Sequence, residues 1–274
     1  MPDLSPILAA GLLSLIAGMG TGLGGLIAVL RRPGKRSFGL LMGITAGVMI
    51  TLSFLQLVNE AWELQGWATA TIGFGLGATC MLALDMLIPH IRFGEREPSA
   101  LAAKAQTAAD EGQSTGRLGP GGTIDRKLLH SGTLLALGIT LHNIPEGIAV
   151  GAGYVHLPGF GLMVAAAILL HNIPEGMGTA LPLAMSGLGR WKSFWVALLS
   201  GLAEPVGALL AAALLNRFQA VVPGALAFAG GVMVFITLDE LLPTARAYGH
   251  EHYTAVGIIL GAISVFLLSG IFGL

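Results

Sequence analysis

Two copies of one hexapeptide, His-Asn-Ile-Pro-Glu-Gly, stand at His142–Gly147 and His171–Gly176, 29 residues apart. Each brings an imidazole, an amide and a carboxylate into a strongly apolar stretch. Such groups are costly at hydrocarbon depth and mark substrate or ion pathways. On a helix, His142 and Glu146 fall about 40° apart, and Asn143 widens the arc to about 100°. One helix face therefore offers nitrogen and oxygen ligands together, and His171, Asn172 and Glu175 repeat the arrangement. Pro145 and Pro174 lie inside the two motifs. Proline lacks an amide donor and crowds the carbonyl four residues back. The Leu141 carbonyl loses its helical partner, so the helix can bend there, and broken backbone at membrane depth is tolerated where it lines a cavity.

The donors are nitrogen and oxygen without thiolate. That set suits Zn²⁺, Fe²⁺, Mn²⁺, Co²⁺ or Cd²⁺ better than Cu⁺, and two histidines argue against a Mg²⁺ or Ca²⁺ specialist. A third acid, Glu204, sits mid-run in Ser200-Gly201-Leu202-Ala203-Glu204-Pro205 and also precedes a proline. Three neighbouring buried carboxylates cannot all stay ionised without cations. More acids lie towards the run ends: Glu60 and Glu63, Asp85 ahead of Pro89-His90, and Asp239-Glu240 ahead of Pro243. Glu60, Asp85, His90, Asp239 and Glu240 are candidate relays at the entrance and exit of a cation path, with interfacial solvation and helix capping as the alternative. The glycine run Gly18–Gly25 has no Gly-Lys-Ser/Thr after it, which excludes a phosphate loop and leaves a close helix–helix contact. The single Cys80 excludes an intramolecular disulfide and reads as a buried small residue.

The elements that must position these residues follow from composition. The chain of 274 residues is 54% hydrophobic and 11% charged, with mean hydropathy +0.79. Soluble domains carry roughly 25% charged residues, so this is a polytopic membrane protein. A membrane helix needs about 20 mostly apolar residues. Eight runs qualify: Ser5–Leu30, Phe38–Asn59, Gly66–Ile88, Leu128–Val155, Phe160–Leu188, Ser193–Asn216, Val221–Leu242 and Tyr253–Leu274. None alternates as a membrane β-barrel strand does, and the fold class expected is all-α with a single transporter domain over 1–274. The first run has no basic stretch ahead of it and is expected to be a retained helix rather than a cleaved signal.

Thirteen of the 14 basic residues fall in odd-numbered loops, and only Arg217 falls on the other side. The positive-inside rule then places the odd loops in the cytoplasm and both termini outside. The segment 89–127 is expected to be a cytoplasmic loop between the third and fourth helices, mobile or partly helical and poor in histidine. Net charge is −1, which gives no basic footprint for nucleic acid.

The two hexapeptides, Ser200–Pro205, Asp239-Glu240-Leu241 and Asp85…Pro89-His90 together resemble the ZIP (Zrt/Irt-like) metal transporters, most closely the broad-range bacterial branch, over essentially the whole chain. The resemblance implies eight helices in an inverted 3+2+3 arrangement, with helices four and five between two repeats of three. It also implies a two-metal site. His142, Glu146, His171 and Glu175 would hold one ion; Asn143, Asn172 and Glu204 would join Glu146 and Glu175 around a second. The family moves metal into the cytoplasm by alternating access that includes sliding of one helix group against the other. One departure is that Asn59-Glu60 stands where the family often has Pro-Glu.

The expected function is therefore uptake of divalent transition metals, Zn²⁺ foremost, across the cell inner membrane. The partners expected are the metal ions and the lipid bilayer, with a homodimer left open and no prosthetic group. An intramembrane metalloenzyme is the first alternative, but His-Glu-x-x-His is missing and no separate base or nucleophile is visible. A metal sensor is the second, but it would be expected to carry a signalling domain.

Overall fold

The computed structural model describes residues 5–31, 33–87, 126–248 and 251–274. The described residues form helices and short connections, with no strand among them. Eight of the helices are long and apolar enough to cross a bilayer: Pro6–Leu30, Arg36–Gln65, Trp67–Met86, Gly132–His156, Pro158–Met185, Arg190–Leu215, Gln219–Leu241 and Glu251–Phe272. These are the first to eighth spans. All eight expected runs are present with shifted ends. His90 and most of the expected 89–127 loop lie outside the described residues, and the helix of the fourth span already begins at Arg126.

The first span shows how such a helix is specified. Ser5 accepts a hydrogen bond from the Leu8 amide at 3.3 Å, and Pro6 occupies the first turn, where its missing donor costs nothing. Leu8, Leu12, Ile16, Met19, Leu23 and Ile27 recur every three or four residues and are exposed. The opposite face buries Ser14, Ala17, Gly18, Thr21, Gly24 and Ala28. Large apolar residues outside and small ones inside suit a helix facing lipid on one side and close neighbours on the other. Cys80, expected to be a buried small residue, is instead exposed, because the third span buries little of its surface.

The second span runs past Asn59 to Gln65, so Glu60 and Glu63 lie within its last turns rather than closing it. Gly66 ends it at φ 86, a left-handed conformation that glycine adopts freely, with its amide donating to the Trp62 carbonyl at 2.7 Å. Two spans contain wider π-helical turns, Leu52–Val58 in the second and Thr237–Leu241 in the seventh. Pro243 accounts for the latter, since it denies the Asp239 carbonyl its usual partner. The sixth span breaks at Leu202, whose amide reaches back to the Leu199 carbonyl at 3.1 Å. The fourth and fifth helices continue through Pro145 and Pro174.

Packing separates the spans into two sets. The first packs on the fifth, the fourth on the sixth, and these four touch one another. The second packs on the eighth and the third on the seventh, and the seventh also meets the second. The sets meet chiefly where the fourth span lies against the seventh and the fifth against the second. Only Leu157 separates the fourth helix from the fifth, so they are antiparallel neighbours and their duplicated motifs face each other.

Candidate metal centre

The hexapeptide glycines set the closeness of this core. A Cβ on Gly147 would overlap the Glu204 carbonyl of the sixth span, and one on Gly176 would overlap the Thr21 carbonyl of the first. Backbone contact at both points draws the four helices together around the polar residues between them. His142, Asn143, Glu146, His171, Asn172, Glu175 and Glu204 are each no more than 1% exposed.

The two motifs meet crosswise. His171 Nε2 lies 3.0 Å from Glu146 Oε1, and His142 Nε2 lies 3.6 Å from Glu175 Oε2. His171 Nδ1–H donates to the Ala167 carbonyl at 3.1 Å, which orients the ring, and Thr45 Oγ1 of the second span donates to the His171 carbonyl at 3.3 Å. Because Nδ1 carries its hydrogen for Ala167, Nε2 is the ring nitrogen that faces Glu146 and is free to share with it a proton or a cation. A metal ion can take Nε2 only where that nitrogen carries no proton.

Glu204 is held differently. Ser14 Oγ of the first span donates to its Oε1 at 2.9 Å, and Asn172 Nδ2 donates to its Oε2 at 2.7 Å. Asn172 Nδ2 also reaches the Ala17 carbonyl at 3.0 Å. Asn143 Nδ2 donates to the Ser200 carbonyl at 2.9 Å, beside the break in the sixth span. With both amide nitrogens engaged, the two Oδ1 atoms are left as acceptors. Ser14 went unmarked in the sequence, where a lone serine in an apolar run carries no signal.

The donors fit a divalent cation. Ligand atoms of His142, Glu146 and Glu175 lie within 4.8 Å of one another. Seven buried atoms here have no hydrogen-bond partner in the protein: both His142 nitrogens, both Glu175 oxygens, Glu146 Oε2, and Oδ1 of Asn143 and Asn172. Each such atom costs about 1–3 kcal/mol if nothing satisfies it, and a cation satisfies convergent acceptors together. Nitrogen and oxygen without sulfur is the set that Zn²⁺ and its first-row neighbours accept.

The relay candidates separate by location. Asp85 is buried with Oδ1 unpartnered, and it interacts electrostatically with Asp239 and Glu240 of the seventh span. Glu240 also acts on His142 and Glu175, which places it between that end of the bundle and the central cluster. Asp239 is exposed and Glu240 half-buried. Glu60 is at the other end, 2.7 Å from His156, a histidine that no motif marks in the sequence.

The family profile described as ZIP Zinc transporter matches residues 93–269. A zinc transporter ZupT of Corynebacterium aurimucosum is 36% identical, over 94% of this chain and 95% of its own. The zinc transporter ZTP29 of Arabidopsis thaliana is 37% identical over 94% and 92%, and a zinc transporter ZupT of Akkermansia muciniphila 38% over 94% and 95%. A profile covering more than half of the chain and relatives matched nearly end to end establish that the chain belongs to the ZIP family of metal transporters, not to any family of enzymes.

Proposed function

We propose that this protein carries Zn²⁺, and other divalent cations of similar ligand preference such as Fe²⁺, Mn²⁺, Co²⁺ and Cd²⁺, across the cell inner membrane into the cytoplasm. The observation that carries the proposal is the sealed cluster of His142, Glu146, His171 and Glu175, with its unpartnered acceptors facing one another between two antiparallel helices. The zinc-transporter names of the relatives favour Zn²⁺ as the principal cargo.

Two ions occupy the centre. His142, Glu146, His171 and Glu175 ligate the first; Asn143, Asn172 and Glu204 join the two shared glutamates at the second. A carboxylate between two dications offsets their repulsion, since each of its oxygens faces one ion. Glu204 accepts one hydrogen bond on each oxygen, from Ser14 and from Asn172, which leaves each oxygen a lone pair for the second ion. Asp85, Asp239, Glu240 and His90 then pass the ion towards the cytoplasm, and Glu60 serves the opposite mouth.

Orientation follows the loop charges, with both termini outside. The inverted repeat is supported by the packing, whose principal contacts are unchanged when first is exchanged with sixth, second with seventh, third with eighth and fourth with fifth. The π-helical turns of the second and seventh spans are exchanged by the same operation.

The test is Zn²⁺ flux into proteoliposomes of purified protein, wild type beside Glu175→Ala, with Fe²⁺ and Mn²⁺ offered separately. Saturable flux that the substitution abolishes is expected. Binding without flux in the wild type defeats the transport reading, and full flux in Glu175→Ala defeats the site assignment.

A further inference from the structure

At the end of the bundle away from Asp85 and Asp239, the second and fourth spans bring another imidazole and carboxylate together. His156 Nε2 lies 2.7 Å from Glu60 Oε1, with the side chains 20% and 29% exposed. The pair is sheltered but open to solvent. The Phe160 ring edge packs on the imidazole, with centroids 5.8 Å apart, and limits its rotation. A cavity of about 330 Å³ opens against it, with Gln65, His156 and Gln219 as its polar lining.

His156 is placed to communicate with the centre. It lies 14 residues beyond His142, which on a helix is the same face to within about 40° and about 21 Å farther along the axis. The pair repeats the donor types and the spacing of the central contact, where His171 and Glu146 stand 3.0 Å apart. As a structural tie it offers little, because partly exposed ion pairs contribute about 0–1 kcal/mol.

We propose that Glu60 and His156 form an outer binding site for a divalent transition cation, which holds the ion before it enters the central cluster. This rests on the transport reading above and on the loop-charge orientation that puts this end outside. Two protein ligands, supplemented by water and the neighbouring glutamine amides, make a weak site. Weak binding suits an entry position, which must release its ion inward. Glu60 comes from one helix set and His156 from the other, so the site is assembled only while the two sets stand in register at this end.

Two measurements test the proposal. The first titrates Zn²⁺ alone into purified protein carrying Glu146→Ala, Glu175→Ala and Glu204→Ala, which removes the carboxylates of both central positions and reports on binding whether or not the protein transports. One residual site is expected, lost on adding either His156→Gln or Glu60→Gln. No residual site, or one that survives both changes, overturns the proposal. The second measures uptake kinetics in the otherwise intact protein. His156→Gln should raise the KM about tenfold, the lower range of what a lost metal-site partner costs, with Vmax affected much less. His156→Cys, in a Cys80→Ser background, should restore the KM for Cd²⁺, because a thiolate ligates cadmium but does not replace an ion pair. An unchanged KM, or a defect that Cys leaves in place, makes the pair structural and overturns the proposal. Absence of flux in the wild type would count against the transport reading alone, since the titration still decides the site.

Discussion

The two central glutamates share a proposed role but not their surroundings, and that difference is measurable. Glu146 is hydrogen-bonded through Oε1 to His171 at 3.0 Å, whereas Glu175 makes only the longer 3.6 Å contact to His142 Nε2 and neither of its oxygens has a hydrogen-bond partner. Both alanine substitutions should abolish uptake. Glu146→Ala should also lower the stability of the metal-free protein more than Glu175→Ala, by about 1–3 kcal/mol, because it strands the His171 nitrogen. Thermal melting in detergent and chelator checks the order; a Glu175→Ala protein that melts lower contradicts the bonding described. Ser14→Ala removes one of two hydrogen bonds to Glu204. It should shift the ratio of Zn²⁺ to Mn²⁺ uptake in the same direction as Glu204→Ala but less far, and the double substitution should match Glu204→Ala alone, since residues in one network are not additive. Paired uptake with both ions reads this directly. The buried polar cluster was legible because the types and spacing within each hexapeptide are local to one helix. Ser14 and His156 were not, because each acquires its partner from a helix distant in sequence.

At the scale of elements, glycine decides how near the helices come. Gly147 and Gly176 face the backbone of the sixth and first spans at a distance that excludes a side chain. Gly147→Ala and Gly176→Ala should each destabilise by about 1–3 kcal/mol, the usual penalty of overpacking, and reduce uptake by parting the ligand-bearing helices. Gly75 of the third span meets nothing within 4 Å, so Gly75→Ala should leave uptake intact. Uptake and melting temperature for the three variants separate close approach from a general need for glycine. The number of spans could be read from hydropathy and the alternation of basic loops, two signals that check each other. The length of the second span could not, because Glu60, Trp62 and Glu63 break its apolar run while the helix continues to Gln65. The π-helical turn at Leu52–Val58 has no proline to announce it, unlike the one ahead of Pro243.

On the scale of the whole molecule, the arrangement of the proposed ligands among the two helix sets determines what must move. His142, Asn143, Glu146, His171, Asn172, Glu175 and Glu204 all belong to the fourth, fifth and sixth spans, and Ser14 to the first. The set of second, third, seventh and eighth spans contributes the flanking acids and Glu60 instead. If the centre travels with its own set, a tether within that set is harmless and a tether between sets is not. A Cβ on Gly178 of the fifth span would lie 3.8 Å from the Met42 side chain of the second, and one on Gly11 of the first would reach Leu209 of the sixth. In a Cys80→Ser background, a short thiol-reactive cross-linker should stop Zn²⁺ uptake by Met42→Cys/Gly178→Cys, and reductant should restore it. The same reagent should leave uptake by Gly11→Cys/Leu209→Cys near its starting level. Equal inhibition of both pairs would mean that transport deforms the ligand-bearing set itself. Undiminished uptake with the first pair fully cross-linked would mean that the sets do not slide at this contact, and the ion would then have to leave a stationary centre through local opening of the fourth and fifth helices.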